Sequence, residues 1–276
     1  MFPDITFHDI TSTEGTWAPN SWKTRYALNF KKIPYKTHWL EYPNIAGFAQ
    51  SIGAKPTGMI PFTASPQFTC PMISAVLPGD DKATTISDSG DIADFLDAHP
   101  ALNGADTPRL FPAGTRELQD AFLAANVVGG MVTPGYVMLS ASAGAGKLHP
   151  VSEEYFRRTR KEWHGGDVEW LGERAAQQKI PLDEWVPMGS EYRKQAWEQV
   201  KAGWGRAAKA FKETQQDGHS PWLTGETPVY ADLVLLAWIT TLKQTATEEE
   251  WAGVLEWDDG LWKALWEAGG PFRVKI

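Results

Sequence analysis

MISAVLPGDDKATTISDSGDIADFLDAH, residues 72–99, decides the architecture of the N-terminal part. MISAVL (72–77) and ATTIS (83–87) read as strands, and PGDD between them reads as a turn. DSGDIADFLDAH (88–99) opens on an N-cap signature and carries Ile92, Phe95 and Leu96 as one apolar face, which predicts a helix. Working backwards, KPTGMIPF (55–62) reads as a strand, and AGFAQSIGA (46–54) as a short helix ended by Gly53. YKTHWLEY (35–42) reads as another strand. From Asn20 onward, Trp22, Tyr26 and Phe30 recur every fourth residue and predict an amphipathic helix beginning at Asn20 or Ser21. ITFHDI (5–10) alternates as a strand does, with Ile5, Phe7 and Asp9 on one side. The order is β-α-β, then two strands, then a helix, all within residues 1–100.

Forward of that stretch, HPALNGADTPRLFPAGT (99–115) is rich in Pro, Gly and Asn and reads as a connector, placed at 101–114. Strand periodicity then disappears. Helical pattern covers about 115–142, 151–178, 190–216, 229–243, 247–256 and 259–268, so residues 115–276 read as all-helical. SAGAGK (142–147) is not a phosphate loop: it lacks the first Gly at the required spacing, and Leu148 stands where a magnesium-binding hydroxyl belongs.

The net charge of −8 and the lack of a long basic run argue against a nucleic-acid binder. The cluster Arg157, Arg158, Arg160 and Lys161 reads as one solvated helix face. Fourteen Trp imply an aromatic core, with a few available to line a pocket. Cys70 is the only cysteine, so no internal disulfide can form. Followed by Pro71, it reads as a small buried apolar residue. MFPDITFHDI lacks a leader pattern, and LVLLAWI (233–239) is too short to span a bilayer. The expected location is the cytoplasm, with no membrane partner. The six His are scattered, with no metal-ligand spacing and no Cys nearby, so no metal is expected.

Three local features carry chemistry. WAPNSW (17–22) places polar residues at a helix start. It is either a plain cap or a site that holds a thiolate against unpaired N–H groups. Gly58-Met59-Ile60-Pro61 is either an ordinary strand start or a cis Ile60–Pro61 bond that turns the Ile60 N–H and C=O outward to pair with an extended peptide. Ile86-Ser87-Asp88-Ser89 is either an N-cap or an amino-acid clamp. In the clamp, the Ser89 hydroxyl and nearby N–H groups hold a carboxylate, and Asp88 takes an ammonium.

In this order the features resemble the glutathione transferases over the whole chain. The resemblance implies an α+β N-terminal thioredoxin-like domain followed by an all-α C-terminal domain. It implies glutathione as co-substrate, a homodimer, and hydrophobic aromatic or phenolic small molecules as partners. Pro61 matches the family's strand-opening Pro, with Ile60 receiving the glutathione backbone. Asp88-Ser89 match its acidic-Ser pair. Gly225, Ala231 and Asp232 match a helical-domain pattern in which the Asp is a structural cap, and Val229 stands where Ser or Thr often completes the capping box. Within the family, PNSWKTRYAL (19–28), PVYAD (228–232) and the long excursion between Pro61 and Asp88 resemble the etherase-like FuA class of wood-decaying fungi. The position that carries a Ser or Cys in activating members is Ala18 here. Thiol activation then falls to Ser21, Asn20 or backbone N–H groups, for attack on aromatic ethers, esters, peroxides or other electrophiles. Trp17 either borders the second-substrate pocket or packs the turn, and Lys55 is either a ligand for the glycine carboxylate or a solvated charge. The rival expectation is a ligandin-like carrier of phenolic compounds with little catalysis.

Overall fold

The computed structural model describes residues 3–60, 63–164, 180–215 and 220–274. The N-terminal part is a four-stranded mixed sheet in the order β2-β1-β5-β6. β1 (Asp4–Ile10) lies parallel to β2 (Lys36–Leu40), joined by α1 (Pro19–Phe30). β5 (Met72–Val76) runs antiparallel to β1, and β6 (Thr84–Ser87) antiparallel to β5. α2 (Ile45–Ser51) precedes a separate two-strand hairpin, β3 (Gly58–Met59) with β4 (Pro66–Gln67). α3 (Ser89–Ala98) follows β6 directly. This is the thioredoxin-like arrangement expected from the sequence.

Side-chain alternation explains the layers. Ile5, Phe7 and Asp9 are buried towards α1, where the Asp9 carboxylate meets Arg25 at 3.1 Å and the Arg25 guanidinium covers the Phe7 ring. His8 points the other way, against Phe48 of α2. Asp9 is fully ligated: the Ile10 N–H, the Thr16 hydroxyl and Arg25 all donate to it. A buried ion pair with this many donors fixes α1 to the end of β1.

Beyond the connector, the described residues form helices and the loops between them, as expected. The stretch 115–142 is not continuous: α4 (Arg116–Phe122) runs into a wider π-helical segment, Leu123–Met131, and breaks at Val132. α5 (Pro134–Ala145) restarts with Thr133 as cap and Pro134 at its first turn, both favoured there. α6 spans Pro150–His164, and the remainder of the helix expected to 178 lies outside the described residues. α7 (Glu191–Thr214), α8 (Tyr230–Thr245), α9 (Glu248–Leu255) and α10 (Leu261–Ala268) match their sequence patterns. α8 is the central helix, buried nearly throughout. Asp232 stops the chain before it, accepting from the Leu223 and Val229 N–H groups. Burial raises this carboxyl to about 7 against the pull of those two donors. α8 packs on α1 through Tyr26 OH and Thr240 Oγ1 at 2.7 Å, and through Trp22 Nε1 donating to Gln244 Oε1 at 3.3 Å.

The connector is tightly held. Asp97 accepts from Lys31 Nζ and from the Leu110 and Phe111 N–H groups, and Asn103 Nδ2 donates to the Leu96, Asp97 and His99 carbonyls. Leu110 O in turn receives the Tyr230 N–H at the start of α8.

Candidate functional site

The sheet register brings three chain segments to one edge. His8 pairs with Met72, and Met72 pairs with Ser87. Just beyond lie the loop from Ile10 to α1, the Thr69–Cys70 approach to β5, and Asp88-Ser89 at the start of α3. Adjacent strands are about 4.8 Å apart, so β1 and β6 are separated by about 10 Å across β5, the span of three extended residues.

α1 begins one residue earlier than the sequence suggests. Ala18 is its N-cap, with no side-chain bond, and Pro19 occupies the first turn. Polar side chains favour capping, which drew the expected start to Asn20 or Ser21, but a proline preorganised at the first helical position prevails. The first intrahelical bond runs from Trp22 N–H to Ala18 O, so the Asn20 and Ser21 N–H groups have no helical acceptor. The two side chains diverge. Asn20 is exposed and lines a cavity of about 480 Å³. Ser21 is fully buried, does not line that cavity, and its hydroxyl has no partner among the described residues. The structure does not bring Ser21 to the cavity wall beside Asn20: the 100° turn per residue along a helix sends neighbouring side chains in different directions.

Ile60 lines the cavity, but its backbone groups are engaged. Its N–H donates to Ser65 O, and its carbonyl receives the Thr63 and Ala64 N–H groups, so its backbone closes its own turn rather than facing a peptide. Pro61 lies outside the described residues. Among the described residues, the cis X-Pro bond is Cys70–Pro71, immediately before β5, the strand that pairs with β1. The sequence reading weighed a cis bond only at Ile60–Pro61, although Cys70-Pro71 directly precedes the strand pattern at 72–77. Cys70, like Ile60, lies on the cavity wall, and no described residue engages its backbone N–H or C=O. Burial, with Asp9 nearby, pushes its thiol strongly up, so it stays protonated.

Asp88 and Ser89 do meet as a pair at the helix start. Asp88 is the N-cap of α3, in the left-handed region at φ 77°, with Oδ1 accepting from Gly90 N–H at 2.7 Å. It is exposed on a notch of about 300 Å³ shared with Lys55, Thr57 and Asp91. Lys55, read from the sequence as either a carboxylate ligand or a solvated charge, thus lines the same notch as Asp88. Ser89 is buried, and its carbonyl accepts from Tyr230 OH at 2.9 Å. Between notch and cavity, Lys23 lies over the Trp238 ring at 5.6 Å; burial lowers its pKa to about 8, opposed by Asp88.

The cavity opens between the two halves. Trp17 lines it and is also packed, edge-on to Phe156 at 5.6 Å and against Gly144, where a methyl group would sit 2.6 Å from the indole. Tyr42, Tyr155, Tyr136 and Trp238 add further rings. Arg160, read from the sequence as part of a solvated helix face, lines this cavity. Burial raises the Tyr42 hydroxyl, and Arg160 beside it pulls the other way. No group of three or more metal-ligating side chains converges among the described residues, and no described helix is long and apolar enough to cross a membrane.

Comparison with known proteins matches these parts. A family model for the glutathione S-transferase N-terminal domain covers residues 17–99, and one for the C-terminal domain covers residues 170–272. The crystal structure of a Ceriporiopsis subvermispora glutathione S-transferase in complex with glutathione is 35% identical, with a TM-score of 0.81. That match covers 99% of this chain and 98% of the other. Glutathione transferase GSTFuA3 from Phanerochaete chrysosporium is 30% identical at a TM-score of 0.80, with the same coverage of 99% and 98%. The glutathione S-transferase-like protein ustS of Aspergillus flavus is 28% identical over 275 residues, 97% of this chain and 88% of that protein.

Proposed function

The chain belongs to the glutathione S-transferase family, and from that premise we propose that it is an etherase-like transferase that activates the glutathione thiol at the start of α1. The observation that carries this reading is the first turn of α1, whose unpaired N–H groups and Asn20 amide meet an aromatic cavity. Glutathione lies extended across the sheet edge. Asp88 takes its ammonium, the Ser89 hydroxyl and N–H take the α-carboxylate, and the Cys70 backbone pairs with the middle residue. Its sulfur reaches the α1 terminus, where N–H donors and the helix dipole favour the thiolate. The thiolate then attacks an electrophilic carbon held in the cavity. A C–S bond forms, the C–O bond of an aromatic ether or ester breaks, and the departing oxygen takes the electron pair and then a proton from water.

Ala18 favours a second reading. With no hydroxyl at the helix cap, the site holds glutathione without strong activation, and the cavity carries phenolic compounds. Ultraviolet absorbance of the bound thiolate, titrated against pH, separates the two. The transferase reading expects a thiol pKa below the free value of about 8.5, raised in Asn20→Ala and unmoved in Ser21→Ala. Saturable glutathione binding without a thiolate signal supports the carrier.

A further inference from the structure

Lys23 is half-buried on α1 and makes no hydrogen bond or ion pair with a described residue. Every other described lysine is either exposed or bonded to a carboxylate. Lys31 shows the usual arrangement: its ammonium donates to Asp97, Asn103 and the Pro108 carbonyl, one proton each. Lys23 has a ring instead, with Nζ 5.6 Å from the centre of Trp238. It follows Asn20 by three residues, so the two share one face of α1, and a helical side chain leans over the turn before it. Asn20 and Trp238 both line the cavity, which sets the amine at the α1–α8 edge of its wall. An ammonium taken out of water with no anion bonded to it gives up its proton readily, and the free amine is a nucleophile. Asp88 pulls the other way, yet burial prevails and brings the group to about 8.

We propose that Lys23 is a site of covalent modification, where its ε-amine condenses with aromatic aldehydes that enter the cavity. The ring lies among the aromatic side chains of the wall, which brings the aldehyde carbon beside it to the amine. The nitrogen lone pair attacks that carbon, a C–N bond forms, and the carbonyl electron pair moves to oxygen. The oxygen takes up protons and leaves as water, a C=N bond closes, and the nitrogen ends without a proton. One amine and one aldehyde thus give one imine and one water, with no oxidant or reductant. An apolar edge holds little water to reverse the step. The inference goes beyond the transferase reading and is independent of it, because the condensation needs no glutathione.

The test incubates the whole protein, without glutathione, with naphthalene-2-carbaldehyde and sodium cyanoborohydride, which reduces each imine to a stable amine. Peptide mass spectrometry then gives the labelling rate of each lysine, with the exposed Lys201 and Lys263 as internal reference. At neutral pH Lys23 is expected to be labelled roughly tenfold faster than either, because lower basicity raises the share of free amine more than it weakens the nucleophile. Its rate levels off above about 8, while those of the reference lysines keep rising. Propanal, which carries no ring, loses most of the advantage. Labelling of Lys23 no faster than the reference overturns the proposal, and an equal advantage with propanal overturns the choice of aromatic aldehydes. Both readings come from the wild type, so neither depends on a variant that folds.

Discussion

His8 stands on the face of β1 turned away from α1, with Nδ1 3.1 Å from His38 Nδ1 and Nε2 2.9 Å from Ser74 Oγ. Burial, and then His38, lowers its pKa from 6.5 to about 4. The folded value lies below the unfolded one, so the unfolded chain takes up a proton first as pH falls. The stabilisation is complete above 6.5 and drains away between 6.5 and about 4. Urea unfolding at the two ends of that window should show the wild type losing more stability to acid than His8→Gln does. Equal losses would remove His8 from the acid response. Residue chemistry also marks where reading the sequence fails. Asp9 was visible as a member of the buried side of β1, because strand alternation is strictly local. Nothing local says that Ser21 turns inward while Asn20 turns outward, or that Arg160 leaves its neighbours Arg157 and Arg158 to face a cavity. Those directions depend on which helix face the rest of the fold covers.

At the scale of elements, helices α5 and α7 cross where a glycine allows backbones to touch. A methyl at Gly135 would run into the Ala196 backbone, and Gly203 meets the Gly130 carbonyl in the same way. Gly135→Ala should cost about 1–3 kcal/mol, typical of overpacking, while Gly146→Ala, which meets nothing within 4 Å, should stay within about 0.5 kcal/mol. Thermal unfolding of the pair checks this, and equal effects would deny the crossing its role. Strands β1, β2, β5 and β6 and helices α3, α7 and α8 were legible in the sequence because each has a clean period and end signals. The π-helical run Leu123–Met131 was not, since its apolar residues satisfy an α-helical pattern equally well. β3 lies within the strand read at 55–62, but its partner β4 was missed for the opposite reason: two residues are too short to have a period.

Across the whole molecule, one carboxylate joins three parts. Asp97 at the end of α3 holds Lys31 at the end of α1 and the connector at Leu110 and Phe111, which leads to α8. Burial opposes its charge, yet Lys31 and the two N–H donors keep its pKa lowered, so this clamp is present at neutral pH and lost as acid protonates it. Asp97→Ala leaves Lys31 buried without its carboxylate and should cost about 3–5 kcal/mol, read as a lower denaturation midpoint by both sheet and helix signals. A midpoint shift in the sheet signal alone would mean that the halves melt apart. The cavity sits along the seam that this clamp maintains, and its wall includes the chain's single thiol. Disulfide exchange needs a thiolate, and Cys70 is held protonated beneath the surface. The single thiol on this wall is thus a poor partner for exchange, and a mixed disulfide at Cys70 is disfavoured however oxidising the surroundings.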